Sequence, residues 1–374
     1  MEKLEATFRI VTPMFIGGAD QTPDDGIRPP SVKGALRFWW RALNWGRFRN
    51  EDEADDISAL KALHKEEARL FGAAAKTEKS EQLGGQGVFL LIVGFDQLTS
   101  TSESSVHEDF KCNTAARYLG YGIIEAFKSK PRNVEAGQLI RSCLNENQTF
   151  TVTLISRGSV EPSILNALKA LGLLGGLGSR SRHGMGSISL EKIVQESNQI
   201  WTAPTTQEQY QSEIKELFQK INLVPQPEYS AFSKESRVDS LLTANSPYKV
   251  LNEFGLRMLD YRSWGKSDFG NKLPSGKVSE KRFKKDHDWS KKDLPNSELS
   301  TFHPQRVVFG LPHNYGKYND QKVNGKTHER RASPLFFHVH HLGNKEYLGI
   351  SVLLKSRFLP TGEKINAGGR DVPQ

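Results

Sequence analysis

The sequence predicts an α+β protein with two domains, on three observations. The chain has 374 residues, and at roughly 150 residues per domain that is room for two folded units. Short runs rich in alternating or β-branched residues, the mark of strands, recur between stretches of helical period. Apolar residues make up 37% of the chain, enough to bury substantial cores, which excludes a disordered tail.

Taken in order, Leu4-Glu-Ala-Thr-Phe-Arg-Ile-Val11 alternates as a strand does, and Thr12-Pro13 ends it. Phe15-Ile-Gly-Gly-Ala-Asp20 opens a polar, proline-rich loop that lasts to Pro30. Ser31 has the chemistry of an N-cap for a helix from Val32 to about Arg47. Gln86-Gly-Val-Phe-Leu-Leu-Ile-Val93 reads as a buried strand, and the Ser/Thr-rich stretch 96–108 as an exposed loop. A helix is expected from Thr114 to Phe127, inside a long insertion over 96–147. Gln148-Thr-Phe-Thr-Val-Thr-Leu-Ile155 is the cleanest strand of the chain. Ser163 then caps a helix from Ile164 to Leu174, a glycine cluster follows, and Ser187-Ile-Ser-Leu-Glu-Lys-Ile193 is a further strand.

This order, βαββαβ, is the split βαβ or ferredoxin-like arrangement shared with the RNA-recognition module. The first domain therefore takes residues 1–196. Residues 197–210, polar and with Pro204, read as a linker, and 211–374 as the second domain. There, helices are expected near 209–221 and 247–259. Strands are expected at Glu228–Phe232, Val307–Phe309, Leu335–His340 and Tyr347–Leu354. Residues 262–300, rich in Lys, Asp, Ser and Gly, form a long basic insertion.

Charge narrows the function classes. The formal net charge is +8, and it is segregated. From Ser230 onward there are 25 basic and 15 acidic residues, against 26 and 28 before it. Arg28, Lys33, Arg37, Arg41, Arg47 and Arg49 follow one another with no acid between them, and Glu51 to Asp56 is an acidic run. Separated basic stretches suit a polyanion, nucleic acid foremost, or a solubilising surface. Two cysteines, Cys112 and Cys143, make neither a disulfide scaffold nor a thiolate metal cage. With no apolar run of membrane length and no apolar leader at the N-terminus, the sequence fits the cytoplasm.

Three segments could carry chemistry. In Arg28-Pro-Pro-Ser-Val-Lys-Gly-Ala-Leu-Arg-Phe-Trp-Trp-Arg41, Lys33, Arg37 and Arg41 recur every fourth residue with Trp40 beside them. A helix N-terminus next to a basic row suits a phosphate, although on pattern alone a solvated cationic face is the plainer reading. Between Leu173 and Ser187 lie five glycines, Gly178 among them, together with Arg180, Arg182 and His183. Glycines let amides approach phosphates, so a polyanion-binding loop is favoured over a bare connection. It leaves a helix rather than opening one, which excludes a Walker or dinucleotide loop. Glu329-Arg-Arg-Ala-Ser-Pro334 puts Arg330 and Arg331 before a strand, where they could position phosphates or pair with the acidic first half.

Other titratable clusters carry less. His338 and His340 share a strand face and read as core or interface residues, since no third metal ligand is indicated. Asp286-His-Asp288 lies in a charge-dense segment and reads as a solvated loop. His183 could serve as a general base on an RNA 2′-hydroxyl, but no neighbouring carboxylate tunes it.

Together these segments resemble the RAMP superfamily of repeat-associated CRISPR proteins, and within it the first Cmr subunit of type III-B effector complexes. The residues that carry the likeness are Thr12 to Asp20, the Arg28–Arg41 block, Glu67-Ala-Arg-Leu-Phe-Gly72, the glycine loop 175–186 and Glu329–Pro334. The resemblance implies tandem ferredoxin-like (RRM-like, βαββαβ) domains with long insertions. It also implies a non-catalytic RNA-binding subunit of an RNA-guided antiviral complex, near the 3′ end of the guide. Its partners would be guide RNA, target RNA and other Cmr subunits, both the backbone subunits and the sixth-type RAMP subunit, with no membrane and no cofactor. Expected RNA contacts are Arg28, Lys33, Arg37, Trp40, Arg41, Gly178, Arg180, Arg182, His183, Arg330 and Arg331. The competing implication is a RAMP endoribonuclease that processes repeat RNA. As surface charges, Arg180 and Arg182 should be removable with little change in stability.

Overall fold

A computed structural model of the chain describes residues 1–49, 55–78, 81–225, 227, 229–264, 270–273, 275–299, 301–315 and 322–373. The acidic residues 51–54 and Glu228 lie outside the described residues. The first half runs β1 (Glu2–Ile10), α1 (Pro29–Phe48), α2 (Asp56–Phe71), β2 (Ala73–Glu78), β3 (Glu81–Gly85), β4 (Phe89–Gly94), β5 (Ser100–Thr101), α3 (Glu108–Cys112), α4 (Thr114–Leu119), β6 (Cys143–Leu144), β7 (Thr149–Ser156), α5 (Pro162–Leu174), β8 (Ile188–Gln195) and β9 (Asn198–Thr202). The rest runs α6 (Gln207–Gln219), β10 (Arg237–Ala244), α7 (Pro247–Arg262), α8 (Lys284–Lys291), α9 (Asn296–Leu299), a 3₁₀ turn (Gln305–Phe309), β11 (His313–Asn314), β12 (Lys322–Gly325), β13 (Leu335–Gly343), β14 (Glu346–Leu353), β15 (Lys364–Ala367) and β16 (Arg370–Pro373).

The main sheet has the strand order β4-β7-β1-β8-β9, antiparallel throughout. Alternation decides its faces. Leu4, Ala6, Phe8 and Ile10 of β1 are buried, while the residues between them are partly exposed. Phe8 stands opposite Phe150, Val152 opposite Val93, and Ile10 opposite Ile188, so the four strands expected of the first domain do form one sheet. The helices α1 and α5 contact each other and contribute Leu36, Trp39, Leu168 and Leu171 to the same buried cluster as β1.

The second half forms a three-stranded sheet, β10-β14-β13, and a four-stranded one, β11-β12-β15-β16. Helix α7 lies on the first of these and against α4 so closely that a Cβ on Gly255 would fall 2.0 Å from the Ala115 carbonyl oxygen. Phe336, Leu348 and Ile350 belong to the same buried cluster as Leu36 and Trp39, so one core joins the two halves. The chain is thus a mixed α+β protein with antiparallel sheets. In chain order, α7 lies between β10 and β13 of the three-stranded sheet.

Several expectations need correction. Residues 197–210 are no free linker: 198–202 pair with β8, and the Tyr210 hydroxyl donates to the Leu173 carbonyl at 2.5 Å. The helix expected over 114–127 ends at Leu119, where Gly120 stops it. Residues 229–232 are not a strand, and 305–309 form a 3₁₀ turn rather than one. Asp286 explains that turn. Its buried carboxylate accepts from the amides of Gln305 (2.7 Å) and Arg306 (2.9 Å), from Arg306 Nε (3.2 Å) and from the Tyr315 hydroxyl (3.0 Å). It is therefore an anchor inside the insertion and not part of a solvated loop.

Candidate nucleic-acid interface

Helix α1 starts at Pro29, with Arg28 as its extended N-cap and no side-chain cap, so Ser31 is already helical. Two prolines in the first turn lack N–H groups that would be unpaired there anyway. Helix α5 likewise starts at Pro162 after Glu161. Ser163 does not cap it; its hydroxyl accepts the Trp40 indole N–H at 3.1 Å. Trp40 is fully buried, which removes it as a stacking surface for RNA.

The basic row on α1 is largely neutralised from within. Arg37 and Arg41 both reach one oxygen of Glu67, each at 2.5 Å, and Glu67 is buried. This carboxylate, from α2, is the partner that no spacing rule on α1 could supply. Lys33 has no ion pair among the described residues, and burial together with Arg37 depresses its pKa. With Arg37 it borders a cleft of about 520 Å³ between the start of α1, the root of the β2–β3 hairpin and β4.

The glycine loop faces a different side. Gly178 adopts φ +85°, and a Cβ there would lie 2.5 Å from the Phe15 carbonyl oxygen. A glycine is required there by the close packing on the segment after β1. Many loop amides are already spent: Ser179 donates to Phe15, Gly186 to Pro13, Leu177 to Gly186 and His183 to Arg180. Left for a polyanion are side-chain charge and the amides of Gly178, Arg180, Ser181 and Arg182, which have no acceptor among the described residues. Arg180 is exposed and sits at φ +61°, and its guanidinium has no hydrogen bond or ion pair among the described residues. Its guanidinium reaches towards Gly122, beside Tyr121, which is 67% exposed. Arg141 joins them by donating to the Ser179 hydroxyl at 3.0 Å. Arg141 and Tyr121 escaped the sequence reading. Their insertion reaches the loop through contacts distant in sequence, Arg141 with Ser179 and the Leu119 carbonyl with His183.

Arg182 and His183 point inward. Arg182 donates to the Ser333 carbonyl and lies over the rings of Phe336 (4.3 Å) and Phe38 (5.2 Å). Burial and the nearby Arg331 pull its pKa down to about 10. The Phe337 amide donates to the Arg182 carbonyl at 2.9 Å, so the loop is stitched to β13. His183 holds its Nδ1 3.1 Å from the Leu119 carbonyl, and burial and Arg180 lower it to about 4. A base that weak and that enclosed is not placed to take a proton from a 2′-hydroxyl. Arg331 is also structural: it donates to the Phe358 carbonyl (2.8 Å) and reaches the hydroxyls of Ser230 and Ser356. Arg330 is exposed and Arg28 half-buried, and neither side chain has a hydrogen bond or ion pair among the described residues. No group of three His, Cys, Asp or Glu that could hold a metal occurs among the described residues. His338 and His340 are core residues that share a face, 3.5 Å apart, with His338 Nδ1 2.8 Å from the Gly175 carbonyl.

Of the expected contacts, Arg180 and Arg330 are exposed, Lys33 and Arg37 border a separate cleft, Arg37 and Arg41 share Glu67, and Arg182 reaches across to Ser333 of the second half. The stretch from the first strand through the glycine loop into β8 is what known proteins share: the RAMP superfamily model matches residues 7–189. Over these residues the chain is similar to the RAMP superfamily. A curated relative, CRISPR system Cmr subunit Cmr1-1 of Pyrococcus furiosus, is 24% identical over 337 residues, which is 89% of this chain and 82% of that protein. Among solved structures, Cmr1 from Pyrococcus furiosus in its apo form matches with a TM-score of 0.58 at 21% identity, over 100% of this chain and 94% of that one. A chain of the type III-B Cmr-beta complex bound to cognate target RNA matches with a TM-score of 0.55 at 13% identity, over 96% and 95%. At these identities the structures establish a shared fold. No described helix is long and apolar enough to cross a membrane.

Proposed function

We propose that this protein is a non-catalytic RNA-binding subunit of a type III-B CRISPR (Cmr) interference complex. It would hold guide RNA, or the guide–target duplex, near the 3′ end of the guide. The observation that carries the reading is the exposed Arg180 on the glycine loop, unpaired among the described residues and flanked by Tyr121 and Arg141. Cations beside an exposed ring suit a phosphodiester strand with unstacked bases. The basic second half supplies long-range attraction. Support comes from the relative described as a Cmr subunit and from the fold shared with a chain of a complex bound to target RNA. Other Cmr subunits are its partners, the cytoplasm is its place, and the second half is a reduced ferredoxin-like unit beside the complete first one, with the boundary after β9. The enclosed, weakly basic His183 speaks against cleavage.

Purification of the tagged protein from its host tests this. Cmr subunits and short CRISPR RNAs should accompany it. Recovery as a lone protein without RNA would reject the reading, and RNA cleavage that His183→Ala abolishes would replace it with a nuclease.

A further inference from the structure

Beside the glycine loop, on the side away from Lys33, is a pocket of about 170 Å³ that opens to solvent. Phe38 and Trp39 of α1 and Phe336 of β13 form its walls, Gly175 and Gly176 lie along it, and Arg182 borders it. The glycines keep it in shape: a Cβ on Gly175 would fall 2.5 Å from Trp39 Nε1, and one on Gly176 2.6 Å from the Gly186 carbonyl oxygen. Of the side-chain polar groups that line it, Trp39 Nε1–H and Arg182 are donors, and the Ser181 hydroxyl can donate or accept. Trp39 Nε1–H finds no acceptor among the described residues. Arg182 spends one nitrogen on Ser333 and keeps further N–H groups in the plane of a guanidinium stacked over Phe336. An aromatic slot with donors at its edge selects a flat ring that carries acceptors.

Size narrows the ring. An enclosed apolar cavity of about 150 Å³ takes up benzene, so about 170 Å³ accommodates a single six-membered ring with small substituents and is tight for a fused bicycle. We infer that this pocket receives one pyrimidine base splayed out of an RNA strand. Its ring would lie among Phe38, Trp39 and Phe336, with its carbonyl oxygens on Trp39 Nε1–H and Arg182. Arg180, two residues before Arg182 on the same loop, is the exposed cation that would meet the neighbouring phosphate. The inference rests on the RNA-binding reading and adds to it a base-sized site with a ring preference. A ring too large for the pocket forfeits this one stacked base, so the preference should be about tenfold.

The test is competition between oligouridine and oligoadenosine of about 12 nucleotides for the full-length protein, read by fluorescence anisotropy. The wild type should bind oligouridine about tenfold tighter. Ala35→Leu, which projects a side chain into the pocket from α1, should abolish that difference while leaving oligoadenosine affinity unchanged. Arg180→Ala should weaken both ligands alike. Equal wild-type binding of the two, or a preference that survives Ala35→Leu in a protein with an unaltered melting profile, overturns the pocket and leaves the RNA-binding reading standing. Failure to bind either ligand overturns both.

Discussion

Replacing Arg182 by Ala should destabilise the whole protein, whereas Arg180→Ala should not. Arg182 is the one loop cation whose head group joins the halves, through the Ser333 carbonyl and through Phe38 and Phe336. A hydrogen bond from a charged donor contributes about 1.5–3 kcal/mol. A half-buried guanidinium over an aromatic face adds about 0.5–1 kcal/mol. Together, about 3 kcal/mol is at stake. At about 2.1 cal/mol/K per residue of unfolding entropy, 374 residues give about 0.8 kcal/mol/K, so Tm should fall by about 4 °C. Arg180→Ala removes an exposed side chain with no partner among the described residues and should stay within about 0.5 kcal/mol. Differential scanning calorimetry of both variants decides the matter. Arg182→Lys should recover only part of the loss, because an ammonium lacks the planar fork. Equal, small shifts for Arg180→Ala and Arg182→Ala would refute the assignment of Arg182 as a tether.

Three further outcomes follow from the same geometry. Glu67→Ala should cost about 3 kcal/mol in urea denaturation, since it leaves Arg37 and Arg41 facing each other without their shared, buried anion; Glu67→Ala melting like the wild type would contradict this. Burial keeps His338 neutral in the folded protein, with its pKa lowered to about 4, while the unfolded chain titrates at about 6.5. The unfolded state therefore binds the extra proton between these values. Stability should be complete above pH 6.5 and fall as pH drops towards 4, by up to about 1.4 kcal/mol per unit for this residue. His338→Gln should flatten that slope, and an unchanged slope would discount the residue. Asp286→Ala should raise amide hydrogen exchange over residues 305–315, whose donors it gathers, without changing exchange in β1 or β7. Exchange rising equally everywhere would show the insertion to be part of the main cooperative unit.

The first half was legible in sequence because its strands are half-buried. β1, β7 and β8 alternate or run apolar, and α1 and α5 show helical period, so pattern alone located them to within a few residues. β9 was lost because Asn198–Thr202 is polar, and only β8 makes it a strand. The 3₁₀ turn at 305–309 reads as a β-branched strand until Asp286, 19 residues away from Gln305, claims its amides. At the site, the roles of the residues that stand out in sequence depend on partners distant from them in the chain. Arg37 and Arg41 look like a phosphate row without Glu67, and Arg182 looks like Arg180 without Ser333. Trp40 was misread because an indole next to basic residues suits stacking on a base as well as it suits a core.

The measurement closest to the central claim is the salt dependence of RNA binding in wild type and Arg180→Ala. Each phosphate contact on a single strand adds about 0.7 to the slope of log Kd against log salt. Binding to fluorescent single-stranded RNA should weaken steeply with salt in the wild type. Arg180→Ala should bind more weakly at low salt, with a slope smaller by about 0.7, the signature of one lost phosphate contact. A folded Arg180→Ala protein with wild-type affinity and an unchanged slope would contradict the account.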